Sequence, residues 1–422
     1  MPFLKVLAAF AAMLAAMRLR APLSLAILSG GVLMGIFFNV GAQSMAAACL
    51  RALTEEKFLF LAAIVGLILV LSDALERSGQ SRRLLDALSG YLTRPRLRLV
   101  FFPALIGLLP MPGGAVFSAP LTEAASKDME MDATQRALIN YWFRHVWELA
   151  WPLYPGIILT VALADIQVSA LISRTWPAVL AMFGAGWIFF LRPGVLRTPK
   201  CAAAENLYRS PARVLKEGMP LIVAIVGAIG LEALMPAVLP GVPFEAGVLA
   251  ALAASVGWVT VQNRIGRDFL LQVVSKKSLY SMLLVIAAIF IFKEIMHSAD
   301  VVQEMADAAG DEAALFAAAV FLPFLVGMVS GINVAFVGAT FPLLLGLLAA
   351  LGISEHKIPY LVLASFAGFT GVMISPLHIC FILSCQFFGV NIVRVWRRLV
   401  PPSLVFAGCG LALFLFLLMT GL

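Results

Sequence analysis

Residues 312–350 read EAALFAAAVFLPFLVGMVSGINVAFVGATFPLLLGLLAA. This run is apolar throughout, but the polar, glycine-containing segment Ser330-Gly331-Ile332-Asn333 interrupts it at the middle. A helix break exposes backbone polar groups that cannot face lipid, so the break must lie in protein or water. The stretch therefore predicts a re-entrant helical hairpin at about 312–350. Two tightly turned full spans, or one kinked span, are the alternatives.

A second stretch, at about 97–125, has the same design. The helix-breaking segment Pro110-Met111-Pro112-Gly113-Gly114 stands at its middle, with apolar residues on both sides. This stretch is short for two full crossings of a membrane, and it also predicts a re-entrant hairpin.

The composition indicates a membrane protein. Of the 422 residues, 62% are hydrophobic and 13% are charged, whereas soluble domains are about half apolar and about one quarter charged. The apolar residues form runs of about 20, the length that crosses the hydrocarbon core. We expect an all-α polytopic membrane protein with ten transmembrane helices in addition to the two hairpins. The predicted spans are 3–17, 22–40, 58–76, 138–163, 172–191, 218–239, 244–262, 279–297, 357–387 and 401–421.

The basic residues set the predicted orientation. If each hairpin returns to the side it left, 23 of the 30 Lys and Arg residues fall on one side. The opposite side receives the loop 298–312, which contains acidic residues and neither Lys nor Arg. This positive-inside pattern predicts a multi-pass protein of the inner membrane with both termini outside. It also accounts for the net charge of +7 without a nucleic-acid partner.

The ten spans divide into two sets of five. The first predicted repeat covers 1–191, a basic cytoplasmic linker covers 192–217, and the second repeat covers 218–422. Because five is odd, the second repeat must be inverted relative to the first, so one hairpin enters from the cytoplasm and the other from outside. Inverted repeats with interrupted helices are typical of secondary transporters.

The two hairpin tips are the first candidate sites. Freed N–H groups at a helix break suit an anion, and freed carbonyls with side-chain oxygens suit Na⁺. Simple packing breaks are the alternative. The candidate binding residues in the hairpins are Pro112, Gly113, Gly114, Ser118, Ser330, Gly331 and Asn333.

Two spans also contain helix breaks. Trp151-Pro152 interrupts the span 138–163, and Ser375-Pro376-Leu377-His378 interrupts the span 357–387. Trp151, Pro152, Ser375 and His378 are therefore candidate binding residues, and Thr370 and Thr340 add neutral oxygens at a similar depth. A structural histidine is the alternative for His378, and packing is the alternative for the two threonines.

Asn140, Arg144 and Glu148 follow one another at intervals of four residues, which predicts one helical face inside the membrane. Ionisable groups at such depth are usually paired or functional. A structural ion pair between Arg144 and Glu148 is favoured. The alternatives are that Glu148 accepts a transported proton or that Arg144 attracts an anion.

The cysteines predict neither disulfides nor a metal site. All five are scattered, and none forms a CxxC pair. We expect no cofactor, with Na⁺ as the one ion that a transport cycle of this kind could use.

Three segments resemble an uncharacterised integral membrane family grouped with the ion transporter superfamily, alongside gluconate, citrate, dicarboxylate and arsenite carriers. They are Leu109–Pro120, Asn140–Glu148 and Trp151–Gly156. The resemblance implies paired hairpins, an inverted repeat, a homodimer, and an anionic substrate moved with Na⁺ or H⁺. The dicarboxylate carriers have Ser-Asn-Thr at both tips. This chain has Ser330 and Asn333 at the second tip and Met-Pro-Gly-Gly at the first, which departs from that pattern.

The sequence therefore predicts a secondary carrier of a small anion, with an organic carboxylate as one substrate class, and not an enzyme. An intramembrane serine hydrolase using Ser330 and His378 is one alternative, although no acidic partner is evident. A channel is another.

Overall fold

The computed structural model describes residues 2–92, 94–108, 114–127, 129–196, 209–309 and 312–421. These residues form 21 α-helices, and no β-strand occurs among them. The helices of the first half are α1 (Pro2–Arg18), α2 (Leu23–Phe37), α3 (Ala42–Thr54), α4 (Glu56–Arg77), α5 (Gln80–Ser89), α6 (Pro95–Gly107), α7 (Ala115–Ala125), α8 (Ala133–Arg144), α9 (Pro155–Ala164), α10 (Val168–Thr175) and α11 (Pro177–Gly186), which a π-helical turn (Trp187–Leu191) extends.

The second half repeats this mixture of long and short helices. It contains α12 (Pro211–Val238), α13 (Glu245–Gln262), α14 (Arg267–Val274), α15 (Lys277–Ser298), α16 (Val301–Ala309), α17 (Glu312–Ser330), α18 (Asn333–Ala350), α19 (Lys357–Met373), α20 (Ile379–Phe387) and α21 (Ile392–Thr420), with a 3₁₀ turn (Ser354–His356) before α19.

Eight helical segments of the described chain are long and apolar enough to cross a membrane. They are Glu56–Arg77, Val168–Leu191, Pro211–Val238, Glu245–Gln262, Lys277–Ser298, Glu312–Ser330, Asn333–Ala350 and Ile392–Thr420. Length and composition thus confirm the prediction of an all-helical, multi-pass membrane protein.

Six of the ten predicted spans coincide with these segments, and the differences have physical reasons. The spans 3–17 and 22–40 correspond to α1 and α2, which have only 17 and 15 residues. The span 357–387 is divided into α19 and α20 at the predicted break. The span 138–163 is divided into α8 and α9, but that break already starts at His145, before the predicted Trp151-Pro152.

The two predicted hairpins differ in size. The arms of the first, α6 and α7, have 13 and 11 residues. The arms of the second, α17 and α18, have 19 and 18 residues, so each is long enough for a full crossing. The helix–turn–helix form predicted from Ser330–Asn333 is present, but its helices α17 and α18 are longer than the arms of a short re-entrant hairpin need to be.

The predicted linker 192–217 overlaps the start of α12. Helix α12 already begins at Pro211, because the Ser210 side chain accepts a hydrogen bond from the Arg213 N–H at 3.3 Å and Pro occupies the first helical position. Residues 197–208 of the predicted linker lie outside the described residues.

The helices of the two halves pack in matching pairs. Within the halves, α1 packs on α2 and α12 packs on α13. Between the halves, α2 packs on α15 while α13 packs on α4, and α7 packs on α20 while α18 packs on α9. Each half therefore completes the packing of the other.

Two glycines allow a close approach of α17 and α19. A Cβ on Gly327 would lie 2.2 Å from the carbonyl oxygen of Gly368, and a Cβ on Gly371 would lie 2.2 Å from that of Phe324. Small residues at helix interfaces permit this backbone contact in membrane proteins. The contact fixes the depth at which the α17–α18 turn meets the break after α19.

Candidate functional site

The first break separates α8 from α9. Helix α8 begins at a capping box made by Asp132 and Gln135 and ends at Arg144. Turns occupy the following residues until Pro155 starts α9. Pro152 and Pro155 lack the N–H that a regular helix would require, so the chain cannot be helical across the second half of this break.

The second break separates α19 from α20. Helix α19 ends at Met373, and α20 begins at Ile379 with His378 as its N-cap residue. Pro376 interrupts the helix between them. The buried Ser375 hydroxyl accepts a hydrogen bond from the Leu377 N–H at 3.2 Å and thereby stabilises the turn.

The two breaks lie against each other. The Nε2 atoms of His145 and His378 are 3.1 Å apart, and the two side chains are only 3% and 7% exposed. The Tyr141 hydroxyl donates to the carbonyl oxygen of Met373 at 3.0 Å. Residues 233 positions apart in the sequence thus form one buried cluster at the centre of the molecule.

The turn between α17 and α18 contacts both breaks. Gly331 has a φ of +66°, and a Cβ there would lie 2.8 Å from the backbone nitrogen of His378. On the other side, the Asn333 amide donates to the Glu148 carboxylate at 3.2 Å. Gly156 makes room for Asn333, since a Cβ at 156 would lie 2.4 Å from the Asn333 Oδ1.

The first hairpin is attached to the first break. A guanidinium nitrogen of Arg144 donates to the carbonyl oxygen of Ile106 at 3.2 Å, and the Tyr154 hydroxyl donates to that of Gly107. The indole N–H of Trp147 donates to the carbonyl oxygen of Ala104 at 2.8 Å. The C-terminal end of α6 is therefore bonded to residues of the α8–α9 break.

Helix α7 of the first hairpin is attached to both halves through Asn140. The Asn140 amide donates to the carbonyl oxygen of Ala115 at 3.2 Å and to the Ser384 hydroxyl on α20 at 2.9 Å. Its oxygen accepts from the Thr122 hydroxyl at 3.3 Å. All these polar groups are buried, and the bonds satisfy them.

The structure brings together about half of the predicted site residues. Those within the central cluster or bonded to it are Arg144, Glu148, Gly331, Asn333, Ser375 and His378. The prediction of one helical face through Asn140, Arg144 and Glu148 is wrong for Glu148, because α8 ends at Arg144 and Glu148 lies in the break. The pairing of Arg144 with Glu148 stays a prediction.

Other predicted residues have local roles. The hydroxyls of Ser330, Thr340 and Thr370 each donate to the carbonyl oxygen four residues earlier, at 2.7 Å. Ser118 donates within α7, to the carbonyl oxygen of Ala115 at 3.3 Å. Such bonds satisfy a hydroxyl inside its own helix.

The remaining predicted residues flank the helix breaks. Gly114 precedes α7 and accepts from the N–H groups of its first turn. Trp151 and Pro152 lie inside the α8–α9 break, with Pro152 buried. Pro112 and Gly113 lie outside the described residues.

The proposed hydrolase pair is not assembled. Ser330 is hydrogen-bonded to Val326 and Ile332 in its own segment, while the His378 ring faces His145. Within the described chain, no hydrogen bond joins Ser330 to His378, so this geometry provides no activated serine.

Three central residues were not identified from the sequence. His145 lies inside the segment Asn140–Glu148, Cys380 follows His378 by two residues, and Gly156 follows the first break. Ligand atoms of His145, His378 and Cys380 lie within 4.8 Å of one another. The spacing His378-x-Cys380 was a usable signal, but no pattern in one sequence joins it to a histidine more than 200 residues earlier.

Comparison with known proteins finds a similar fold in a solved structure and a matching family. The chain resembles the crystal structure of the Alcanivorax borkumensis YdaH transporter, which has an unusual topology, with a TM-score of 0.62 and 14% identity over 90% of this chain and 89% of that chain. At this identity the likeness concerns the fold alone. No curated protein matches the sequence. Residues 4–419 match the family described as "Protein of unknown function (DUF401)", so the chain is a member of that family.

Proposed function

We propose that this protein is a secondary carrier that moves a small anion by alternating access, coupled to Na⁺ or H⁺. One observation carries the proposal: two helix breaks, one from each half, meet the α17–α18 turn in a buried polar cluster. Carriers typically bind substrate where interrupted helices from two repeats converge near the membrane midplane.

The helix ends at this cluster favour an anion. Helix α9 begins beside the first residue of α18, and His378, the N-cap residue of α20, lies beside Gly331. The N-terminus of a helix carries partial positive charge and free N–H groups. Three such N-termini, together with the buried Arg144 guanidinium, give an environment suited to a small carboxylate or an inorganic anion.

Glu148 is the residue we assign to ion coupling. Its carboxylate lies in the break and accepts a hydrogen bond from Asn333, the first residue of α18. A carboxylate at this position can take up a proton or contribute oxygen to a Na⁺ site. Either event would change the charge beside the helix N-termini and hence the affinity for an anion.

We further infer that the halves form an inverted repeat in the inner membrane, with both termini outside. The paired packing supports this inference, since α2–α15 matches α13–α4 and α7–α20 matches α18–α9. The positive-inside distribution supports the orientation. The family resemblance supports a homodimer and a relation to anion carriers of the ion transporter superfamily.

Uptake into proteoliposomes tests the proposal. Purified protein is reconstituted, and a panel of labelled carboxylates and inorganic anions is offered under an inward Na⁺ gradient or an inward H⁺ gradient. We expect one anion class to accumulate under one of the gradients. Accumulation under neither gradient, by protein shown to be folded, would overturn the proposal, and equilibration without accumulation would indicate a channel.

The variant Glu148→Gln separates coupling from binding. It should still bind the anion but lose gradient-driven accumulation, because a neutral amide cannot exchange a proton and is a weaker ligand for Na⁺. The matched control is Glu232→Gln, since Glu232 is also a buried glutamate but caps α10 outside the cluster. If Glu148→Gln accumulates the anion as well as Glu232→Gln and the wild type do, Glu148 has no role in coupling.

A further inference from the structure

We infer that His145, His378 and Cys380 form a binding site for Zn²⁺. The two imidazoles come from the two helix breaks and the thiol from the first turn of α20, and their ligand atoms all lie within 4.8 Å of one another. Imidazole nitrogen and thiolate sulfur are the ligands that Zn²⁺ prefers in proteins. The site goes beyond the proposed transport function and does not depend on it.

The spacing of the nitrogens fits a shared ion. The Nε2 atoms of His145 and His378 are 3.1 Å apart. Two nitrogens bound tetrahedrally at about 2.0–2.1 Å would be about 3.3 Å apart. The three side chains are 3%, 7% and 5% exposed, in the order His145, His378 and Cys380, so their donor atoms face protein and not bulk water.

The hydrogen bond on the other side of His145 fixes its tautomer. Its Nδ1 lies 2.6 Å from the carbonyl oxygen of Tyr141, so Nδ1 carries the proton and the Nε2 lone pair points into the cluster. Metal-ligating histidines are commonly oriented by such a bond to a backbone carbonyl. His145 is therefore oriented as a ligand before any ion arrives.

The two ring nitrogens of His378 differ in their hydrogen bonding. Without an ion, its Nε2–H donates to the Nε2 of His145. Its Nδ1 has no hydrogen-bond partner among the residues the structure describes, and an ion at Nε2 would not change this. With Zn²⁺ bound, both Nε2 lone pairs face the ion and the His378 proton moves to Nδ1. The close approach of the two Nε2 atoms then becomes a pair of coordination bonds.

Two formal charges of opposite sign lie near the three ligands, and the N-termini of α18 and α20 add partial positive charge. Arg144 and Glu148 both lie within electrostatic range of the Cys380 sulfur, and their charges have opposite sign. Binding would remove one proton from the Cys380 thiol, which passes to solvent, and the thiolate would offset one of the two charges of Zn²⁺. Na⁺ prefers oxygen ligands, so this site differs chemically from a Na⁺ coupling site.

Three protein ligands leave one tetrahedral position open, as in catalytic and not structural zinc sites. Because His145 belongs to the first break, His378 to the second break and Cys380 to the start of α20, the ion would link the two halves of the chain. Binding to the folded state alone raises thermal stability. We therefore expect Zn²⁺ to increase the melting temperature of the purified protein.

Metal binding by the full-length protein in detergent tests the inference. Protein freed of metal by a chelator is titrated with Zn²⁺ against a chromophoric competitor, and separately with Co²⁺ while thiolate-to-cobalt charge-transfer absorption is recorded. We expect one ion per chain and a charge-transfer band. Folded wild-type protein that retains no Zn²⁺ and shows no such band would overturn the inference.

Two cysteines on α20 provide a matched pair of variants. Cys380→Ser should abolish the charge-transfer band and weaken Zn²⁺ binding about 100-fold or more, since loss of even an outer-shell partner weakens binding about 10–100-fold. Cys385→Ser should change neither, because Cys385 is buried on the same helix outside the cluster. Identical behaviour of the two variants would contradict the assignment.

The assay is independent of transport and of the variants' stability. If Cys380→Ser does not fold, the presence or absence of the cobalt band in the wild type still decides the question. A protein that transports an anion but binds no Zn²⁺ overturns this inference alone. A protein that binds Zn²⁺ but transports nothing overturns the proposed function alone.

Discussion

The contact between Asn333 and Glu148 allows one substitution to place two carboxylates together. In the wild type, the Asn333 amide donates to the Glu148 carboxylate at 3.2 Å. In Asn333→Asp, the same site holds two acids of nearly unchanged shape. If one of them keeps a proton, its O–H can replace the lost N–H donor. The stability of the folded variant therefore depends on whether one of the two carboxyl groups is protonated.

The magnitude follows from the distance. Two unit charges 3.2 Å apart repel by about 5 kcal/mol at an effective dielectric constant of about 20. Loss of one buried hydrogen bond would account for only about 1–3 kcal/mol. The folded variant should therefore bind one proton more tightly than the unfolded chain does. Its extra stability is present at low pH and is lost as the pH rises.

Thermal unfolding in detergent measures this effect. From about pH 5 to about pH 8, the melting temperature of Asn333→Asp should fall relative to the wild type by about 5–10 °C. The control Asn391→Asp should follow the wild type, because Asn391 is the exposed N-cap of α21 and accepts from Val393 and Arg394, as an aspartate would. Equal pH dependence of both variants would refute the contact between the turn and the first break.

Three further substitutions test the packing and the local assignments. Gly371→Ala should lower the free energy of unfolding by about 1–3 kcal/mol, because the new methyl would lie 2.2 Å from the Phe324 carbonyl oxygen. The control Gly257→Ala should not destabilise the protein, since the space around Gly257 is open. Calorimetry that ranks the two variants in the opposite order would contradict the α17–α19 contact. Thr370→Val should leave anion uptake unchanged, since that hydroxyl is bonded within its own helix, and lost uptake would make it a binding group. Glu232→Ala should destabilise the protein by about 1 kcal/mol, because Glu232 accepts from two N–H groups at the start of α10, and an unchanged melting temperature would refute that cap.

The local sequence was sufficient to predict that two of the apolar spans contain helix breaks. Pro152 and Pro376 remove backbone donors from apolar runs, and Gly331 supplies the positive φ of the α17–α18 turn. These effects act within a few residues, so a break at Trp151-Pro152 and a break at Ser375–His378 could be predicted. The start of the first break at His145 was not predicted. The lengths of α17 and α18 were harder to interpret, because the same apolar run fits a hairpin or two crossings.

The composition of the central cluster could not be predicted in the same way. The bond between Asn333 and Glu148 and the contact between His145 and His378 join distant parts of the chain. A single sequence carries no record of which distant residues meet. Glu148 shows the related limit: its i, i+4 spacing suggested a helical face, but α8 ends at Arg144 and Glu148 lies in the turns that follow.

Anion uptake by Asn333→Ala tests most directly whether the α17–α18 turn and the two breaks form a substrate site. The matched control is Thr340→Val on the same helix, whose hydroxyl is bonded to the Phe336 carbonyl oxygen and lies outside the cluster. In proteoliposomes of equal protein content, we predict gradient-driven accumulation by the wild type and by Thr340→Val, and none by folded Asn333→Ala. Accumulation by Asn333→Ala at the wild-type rate would contradict the account.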